Sequence, residues 1–154
     1  MNKTELLHKA AAARILLLDG AMGSLIQQYK LSEEGFRGTR FAAHNSPVQG
    51  NNDFLSLTRP DIISSIHEQY LEAGSDMIET NTFNANRMSQ ADYGMEDLVY
   101  ELNKTSAALA AEAAKKFSTP ERPRFVAGSM GPTNKTASLS PGVNNPGYRA
   151  VSFD

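Results

Sequence analysis

The chain contains no cysteine and no tryptophan. Without cysteine there is no disulfide framework, no thiol nucleophile and no thiolate to hold a metal. Histidine is sparse as well. His8, His44 and His67 stand far apart, and no pair has the short spacing that builds an all-protein zinc site. An excess of one charge is lacking too: 15 Lys and Arg against 17 Asp and Glu give a formal net charge of −2. Neither sign gathers into a block, so nothing points to nucleic acid or to an anionic membrane as a partner. Apolar runs are short, Ile15–Leu18 being typical, and none is long enough to span a bilayer. Lys9, Arg14 and Asp19 interrupt the stretch where a secretory leader would be apolar. A cytoplasmic protein is the expectation.

What is present is globular material: 154 residues, 40% hydrophobic and 21% charged, one domain in length. Residues 4–14 read as an alanine-rich helix capped by Thr4. Ile15–Leu18, apolar on both faces and closed by Asp19-Gly20, reads as a buried parallel strand. Residues 24–30 suit a helical turn. Residues 31–57 carry glycines, Pro47 and several asparagines without any period, and read as a long functional loop. Residues 60–73 predict the clearest helix, with Pro60 in its first turn, Gly74 after its last, and an apolar stripe of Ile62, Ile63, Ile66, Tyr70 and Leu71. Residues 76–80 predict a second strand. Residues 96–117 predict a long helix with Leu98, Leu102, Ala107, Leu109 and Ala113 on its buried side, and residues 124–128 a third strand. Strands alternating with long helices imply βαβ units and a parallel sheet. The chain closes on Ser152 or Asp154 as a helix cap with no helix after it. A full (β/α)8 barrel needs about 250 residues. The expectation is α/β: a truncated barrel over residues 15–154, preceded by a helical segment over residues 1–14.

Each predicted strand runs into a Gly-, Asn- or Ser-rich segment, and in a (β/α) barrel that end carries the active site. In Asp19-Gly20-Ala21-Met22-Gly23-Ser24, glycines let the backbone approach a ligand, and consecutive N–H groups can hold an anion. Asp19 could accept from an ammonium group. Together these suit an amino acid, although a tight turn with a capping acid explains the same residues. There is no Walker pattern, since no Gly-Lys-Ser/Thr follows. In Glu79-Thr80-Asn81-Thr82-Phe83-Asn84, Glu79 could pair with an ammonium and Asn81 could donate or accept. Asn and Thr also simply build turns. Gly128-Ser129-Met130-Gly131-Pro132-Thr133 adds hydroxyls at the third strand end. Elsewhere, Glu33-Glu34 and Lys115-Lys116 read as solvated faces, His67 as a packed or capping helix residue, and Met22, Met77 and Met130 as packing.

Three long runs carry a family resemblance: ILLLDGAMGSLIQQYKLSEEGFRG, GNNDFLSLTRPDIISSIHEQYLEAGSDMIETNTFNAN and RFVAGSMGPTNKTASLSPGVNNPGYRAVSFD. They resemble the opening of the homocysteine-binding barrel of cobalamin-dependent methionine synthases, within the homocysteine S-methyltransferase family. The Asp-Gly-x-x-Gly and Glu-Thr-Asn-Thr-Phe elements are shared by the wider family. The Asn-rich loop and the Asn134-to-Ser138 stretch favour the cobalamin-dependent branch. The resemblance implies a (β/α)8 barrel that binds homocysteine. Its zinc, held by three cysteines, would favour the thiolate. Methylcobalamin on another module would supply the methyl group, and methyltetrahydrofolate on a further module would reload it. It places Asp19, Gly20, Ala21, Met22 and Gly23 near the amino and carboxylate groups of homocysteine, with Glu79, Asn81 and Ser129 at the same mouth. The family's zinc cysteines lie on later strands, so this chain is expected to be inactive alone, with no zinc or cobalamin bound. Two other readings stand beside this one: a non-catalytic module that completes a barrel with another chain, and a phosphate-binding barrel enzyme using the glycine turns.

Overall fold

A computed structural model describes residues 2–133, 135–138, 140 and 142–151. The expected cap at Ser152 or Asp154 lies outside the described residues. Helix α1 spans Lys3–Ala13, but its cap is Asn2, not Thr4. Asn2 accepts from the Glu5 N–H while the Glu5 carboxylate takes the Asn2 N–H, and this reciprocal pair outcompetes a threonine one turn too late. No residue of α1 is buried. Helix α2, Met22–Gln28, begins two residues earlier than the sequence suggests.

Residues 31–57 depart most from expectation. They hold two short helices, α3 over Glu33–Arg37 and α4 over Leu55–Thr58. Phe36, Val48, Phe54 and Leu55 are buried there among Ile26, Ile62, Ile63 and Ile66. The segment is thus a layer of core. Its elements are a turn or so long, too short for a helical period to show. Glu33, expected on a solvated face, holds this layer closed. Its carboxylate accepts from Arg37 Nε at 2.7 Å and from the N–H groups of Val48 and Gln49 at 2.9 and 2.7 Å.

Helix α5, Pro60–Ala73, matches its sequence limits, with Gly74 in the left-handed conformation at φ 114° ending it. His67 is completely buried on α5, and neither ring nitrogen has a partner. Burial lowers its pKa to about 4, which keeps the imidazole neutral. Strand β1 is Met77–Glu79 and strand β2 is Phe125–Ala127, paired in parallel with Met77 opposite Phe125 and Glu79 opposite Ala127. Between them lie a short helix α6, Arg87–Gln90, and α7, Val99–Phe117. Residues 96–98 form a tighter turn ahead of α7. Leu102, Ala110, Ala113 and Ala114 are its buried apolar residues, and the three alanines pack with Leu71 and Ile78, whereas Ala107 is exposed.

The expected first strand is reduced to one parallel ladder contact, Leu18 against Met77. Asp19 N–H donates to Met77 O at 2.9 Å, and Met77 N–H to Leu17 O at 3.1 Å. The run lies beside β1 as anticipated, but it is not buried: Ile15, Leu17 and Leu18 are 86%, 55% and 52% exposed. The described residues therefore form a mixed helix–sheet architecture with a two-stranded parallel sheet, flanked on one side by residues 15–18.

Where β1 begins, the buried Asp76 carboxylate gathers three arginines. Arg14 approaches at 2.5 and 2.7 Å, Arg122 at 3.3 Å and Arg124 at 3.5 Å, while Leu17 N–H donates at 3.0 Å. These bonds hold the carboxyl well below the usual carboxylate range, with the Arg14 bond the largest cause. One side chain thus ties the end of α1, the run before Asp19, β1 and the approach to β2. That junction fixes the starts of all three extended segments, so their ends emerge together on the far side.

Candidate functional site

The segments leaving Leu18, β1 and β2 meet around one cavity of about 380 Å³. Asp19, Gly20, Ala21, Met22, Gly23, Glu79, Asn81 and Ser129, the residues singled out from sequence, all line it. Asn52, Asp53, Thr80, Thr82, Phe83 and Asn84 complete the lining.

Asp19 is one of its three carboxylates. Its Oδ2 accepts from the Glu79 N–H at 3.0 Å, and its Oδ1 is buried without a partner. Burial pushes the carboxyl up to about 6; the Glu79 N–H works against that shift and the Glu79 charge adds to it. The following turn is held from α5, whose Tyr70 hydroxyl donates to Ala21 O at 3.3 Å. A Cβ on Gly20 would meet that hydroxyl at 3.1 Å, so glycine lets the turn lie against Tyr70 without displacing its ring. Among the described residues, no acceptor engages the N–H groups of Gly20, Ala21 and Met22.

The two threonines after β1 are structural. Thr80 and Thr82 hydroxyls lie 2.6 Å apart, Thr82 donates to Ser129 O at 2.8 Å, and Ser129 N–H donates to Thr80 Oγ1 at 3.0 Å. This closed ring staples the end of β2 to the end of β1. The Asn81 amide nitrogen is likewise committed to the protein, donating to Asn52 O at 2.9 Å and to Ser56 Oγ at 3.2 Å. Asn81 therefore holds the 31–57 layer against the cavity. Gly131 closes over Phe83, where a Cβ would fall 2.6 Å from the ring and the backbone oxygen.

Asp53 and Asn52 were not among the sequence-derived candidates. Asp53 is 4% exposed, its Oδ2 accepts from the Asn84 N–H at 3.1 Å, and burial pushes its carboxyl up to about 6. The only signal for this pair was the Gly50-Asn51-Asn52-Asp53 block, which carries no chemistry of its own by spacing. Among the described residues, the cavity's ionisable lining is Asp19, Asp53 and Glu79, with no Lys, Arg or His. Such a wall favours a cationic group in the occupant. No group of three His, Cys, Asp or Glu residues that could hold a metal ion exists among the described residues. No helix among them is long and apolar enough to cross a membrane.

The fold is similar to two crystal structures of the homocysteine methyltransferase MmuM from Escherichia coli. The metallated form aligns with a TM-score of 0.61 at 24% identity, over 82% of this chain and 41% of that one. The oxidized form aligns with a TM-score of 0.59 at 24% identity, over 77% and 37%. The chain thus spans about two fifths of the length of these structures. The sequence profile of the homocysteine S-methyltransferase family matches residues 16–154. The polar cavity at the joined ends of the parallel segments is therefore a feature of a chain that belongs to the homocysteine S-methyltransferase family.

Proposed function

We propose that this chain forms the amino-acid-binding front of a homocysteine methyltransferase barrel, in a cobalamin-dependent methionine synthase. On this reading residues 15–154 supply the first three βα units and residues 1–14 a helical lead-in. The parallel alternation of extended segments and helices supports the barrel, as does the convergence of three segment ends on one cavity.

Asp19 takes the ammonium group of homocysteine, and the N–H groups of Gly20, Ala21 and Met22 take its carboxylate. Gly23, Glu79, Asn81 and Ser129 complete the wall. The observation that carries this is the buried Asp19 Oδ1, unpartnered among the described residues, in a cavity whose ionisable residues among them are all acids. A buried carboxylate oxygen without a donor is costly, and an ammonium group satisfies it. The long Asn-rich layer favours methylcobalamin as methyl donor, reloaded from 5-methyltetrahydrofolate on other modules. A reducing cytoplasmic setting keeps the substrate thiol free.

The residues present do not fit the zinc that the family resemblance implies. The chain has no cysteine, and the described residues offer no metal-binding group. A free thiol with a pKa near about 8.5 is mostly protonated at neutral pH. Recognition of the amino-acid end is therefore the role given to these residues, and sulfur activation is not. By itself the chain is expected to transfer no methyl group. A second reading, a module that completes its sheet with another chain, is favoured by the exposed Leu17, Leu18 and Val126.

Calorimetric titration tests the first reading. L-Homocysteine is expected to bind, 4-mercaptobutyrate (the same molecule without its amino group) to bind about tenfold more weakly, and Asp19→Asn to abolish the difference. Equal binding of both compounds to the unaltered chain would overturn it.

A further inference from the structure

Helices α1, α3 and α6 start alike. The carbonyl of the residue before each accepts a backbone N–H from the first turn: Leu6 to Asn2 at 3.1 Å, Phe36 to Ser32 at 3.0 Å and Gln90 to Asn86 at 2.9 Å. Ala21, which precedes α2, differs. Among the described residues no backbone N–H donates to its carbonyl. Two hydroxyls do, Tyr70 from α5 at 3.3 Å and Ser24 at 3.0 Å. Together they fill both lone pairs of that oxygen. Tyr70 is a firm post, since its ring packs against both hydrophobic clusters and lies against Gly20. Burial first, and the Asp19 charge second, push its phenol up, so it stays a donor through neutral pH. Neither Tyr70 nor Ser24 lines the cavity, whereas Ala21 and Met22 do. The Ala21 carbonyl and the Met22 N–H belong to one trans peptide and point in opposite directions. A carbonyl held on the α5 side therefore turns the Met22 N–H away from α5.

We propose that Tyr70 and Ser24 are positioning residues for substrate selection: by fixing the peptide between Ala21 and Met22 they aim the Met22 N–H at the carboxylate of the bound amino acid, and so set the preference for ligands that carry one. The inference rests on the homocysteine reading given above. Neither side chain touches the ligand, and each acts through that one peptide. Removing the two hydroxyls therefore costs a carboxylate its bond and leaves the ammonium bond at Asp19 in place. A released peptide can also turn over and present its carbonyl oxygen, which repels a carboxylate.

The probes are L-homocysteine and 3-aminopropane-1-thiol, the same molecule without its carboxylate, titrated calorimetrically into the full chain. The unaltered chain is expected to favour homocysteine about tenfold. Tyr70→Phe keeps the ring and its packing, and is expected to reduce that ratio to about threefold. Tyr70→Phe combined with Ser24→Ala is expected to bring it to about one, through weaker homocysteine binding with 3-aminopropane-1-thiol unchanged. Ser24→Thr, which keeps the hydroxyl, is expected to keep the ratio. The direction of the Met22 N–H in the ligand-free protein, read from its residual dipolar coupling, is expected to change in the double variant and not in Ser24→Thr. A full ratio in the double variant, an equal loss for both ligands, or an unchanged Met22 N–H direction would each overturn the proposal. Equal binding of both ligands by the unaltered chain would instead overturn the homocysteine reading. The ligand-free Met22 N–H direction then decides by itself whether the two hydroxyls fix the peptide.

Discussion

At the residue scale, two aspartates of one chain are driven in opposite directions by their surroundings. Asp19 loses water and gains a single N–H, so its carboxyl rises to about 6. Asp76 loses more water but gains three guanidinium groups, so its carboxyl falls. The first arrangement leaves a group wanting a donor, which is what a binding site needs. The second saturates its carboxylate, which is what a joint needs. Replacing Asp76 with Ala strands Arg124, whose side chain is only 7% exposed. The expected loss is about 3 kcal/mol, read from denaturant unfolding. The sign with pH follows from the direction of the shift. A depressed carboxyl contributes stability that is fully present above its unfolded pKa near 3.8 and is lost as pH falls below it. The variant should therefore differ from the parent at pH 7 and converge on it in strong acid. A constant difference down to pH 2 would speak against the joint.

At the element scale, α1 and α5 show what sequence patterns reveal. The limits of α5 were legible because Pro60, Gly74 and a stripe of isoleucines agree with one another. The helix of α1 was legible from alanine, but its cap was misplaced, since Thr4 and Asn2 are both capping residues and only the partner Glu5 decides between them. The 31–57 layer was not legible as structure at all. Its order comes from Glu33, which reaches across 15 and 16 positions to the N–H groups of Val48 and Gln49, a relation no local window contains. Asp53 was missed for the same reason, since its burial depends on that layer folding over the cavity. Because α1 buries nothing, an 11-residue helix is marginal on its own. Deleting residues 2–12 while keeping Arg14 is expected to shift the melting temperature by less than about 3 °C. A drop of 10 °C or more in a thermal melt would show that α1 packs in a way its exposure denies.

At the scale of the whole molecule, the sheet is narrow and both of its flanks are open. Residues 15–18 run along one side and β2 forms the other, and Val126 on that edge is 37% exposed. Met130, just past β2, is 93% exposed. Open edges with apolar side chains invite pairing with another polypeptide. Sedimentation of the isolated chain is expected to show association that grows with concentration, and Leu17→Lys with Val126→Lys to suppress it. A monomer at every concentration would contradict this. The α/β pattern was readable because each extended run precedes a Gly- or Asn-rich turn. The expected burial of Ile15–Leu18 was wrong because an apolar run reports what a strand can bury, not what covers it.

The central claim is that Asp19 waits for an ammonium group, and its own titration tests that most directly. With the aspartate carboxyl carbons labelled, Asp19 is expected to titrate near pH 6 in the free protein. Saturating L-homocysteine is expected to move the midpoint down by at least about one unit, as a cation at bonding distance does, and 4-mercaptobutyrate to leave it in place. An Asp19 midpoint that does not move with homocysteine, or that moves equally with both compounds, would contradict the account.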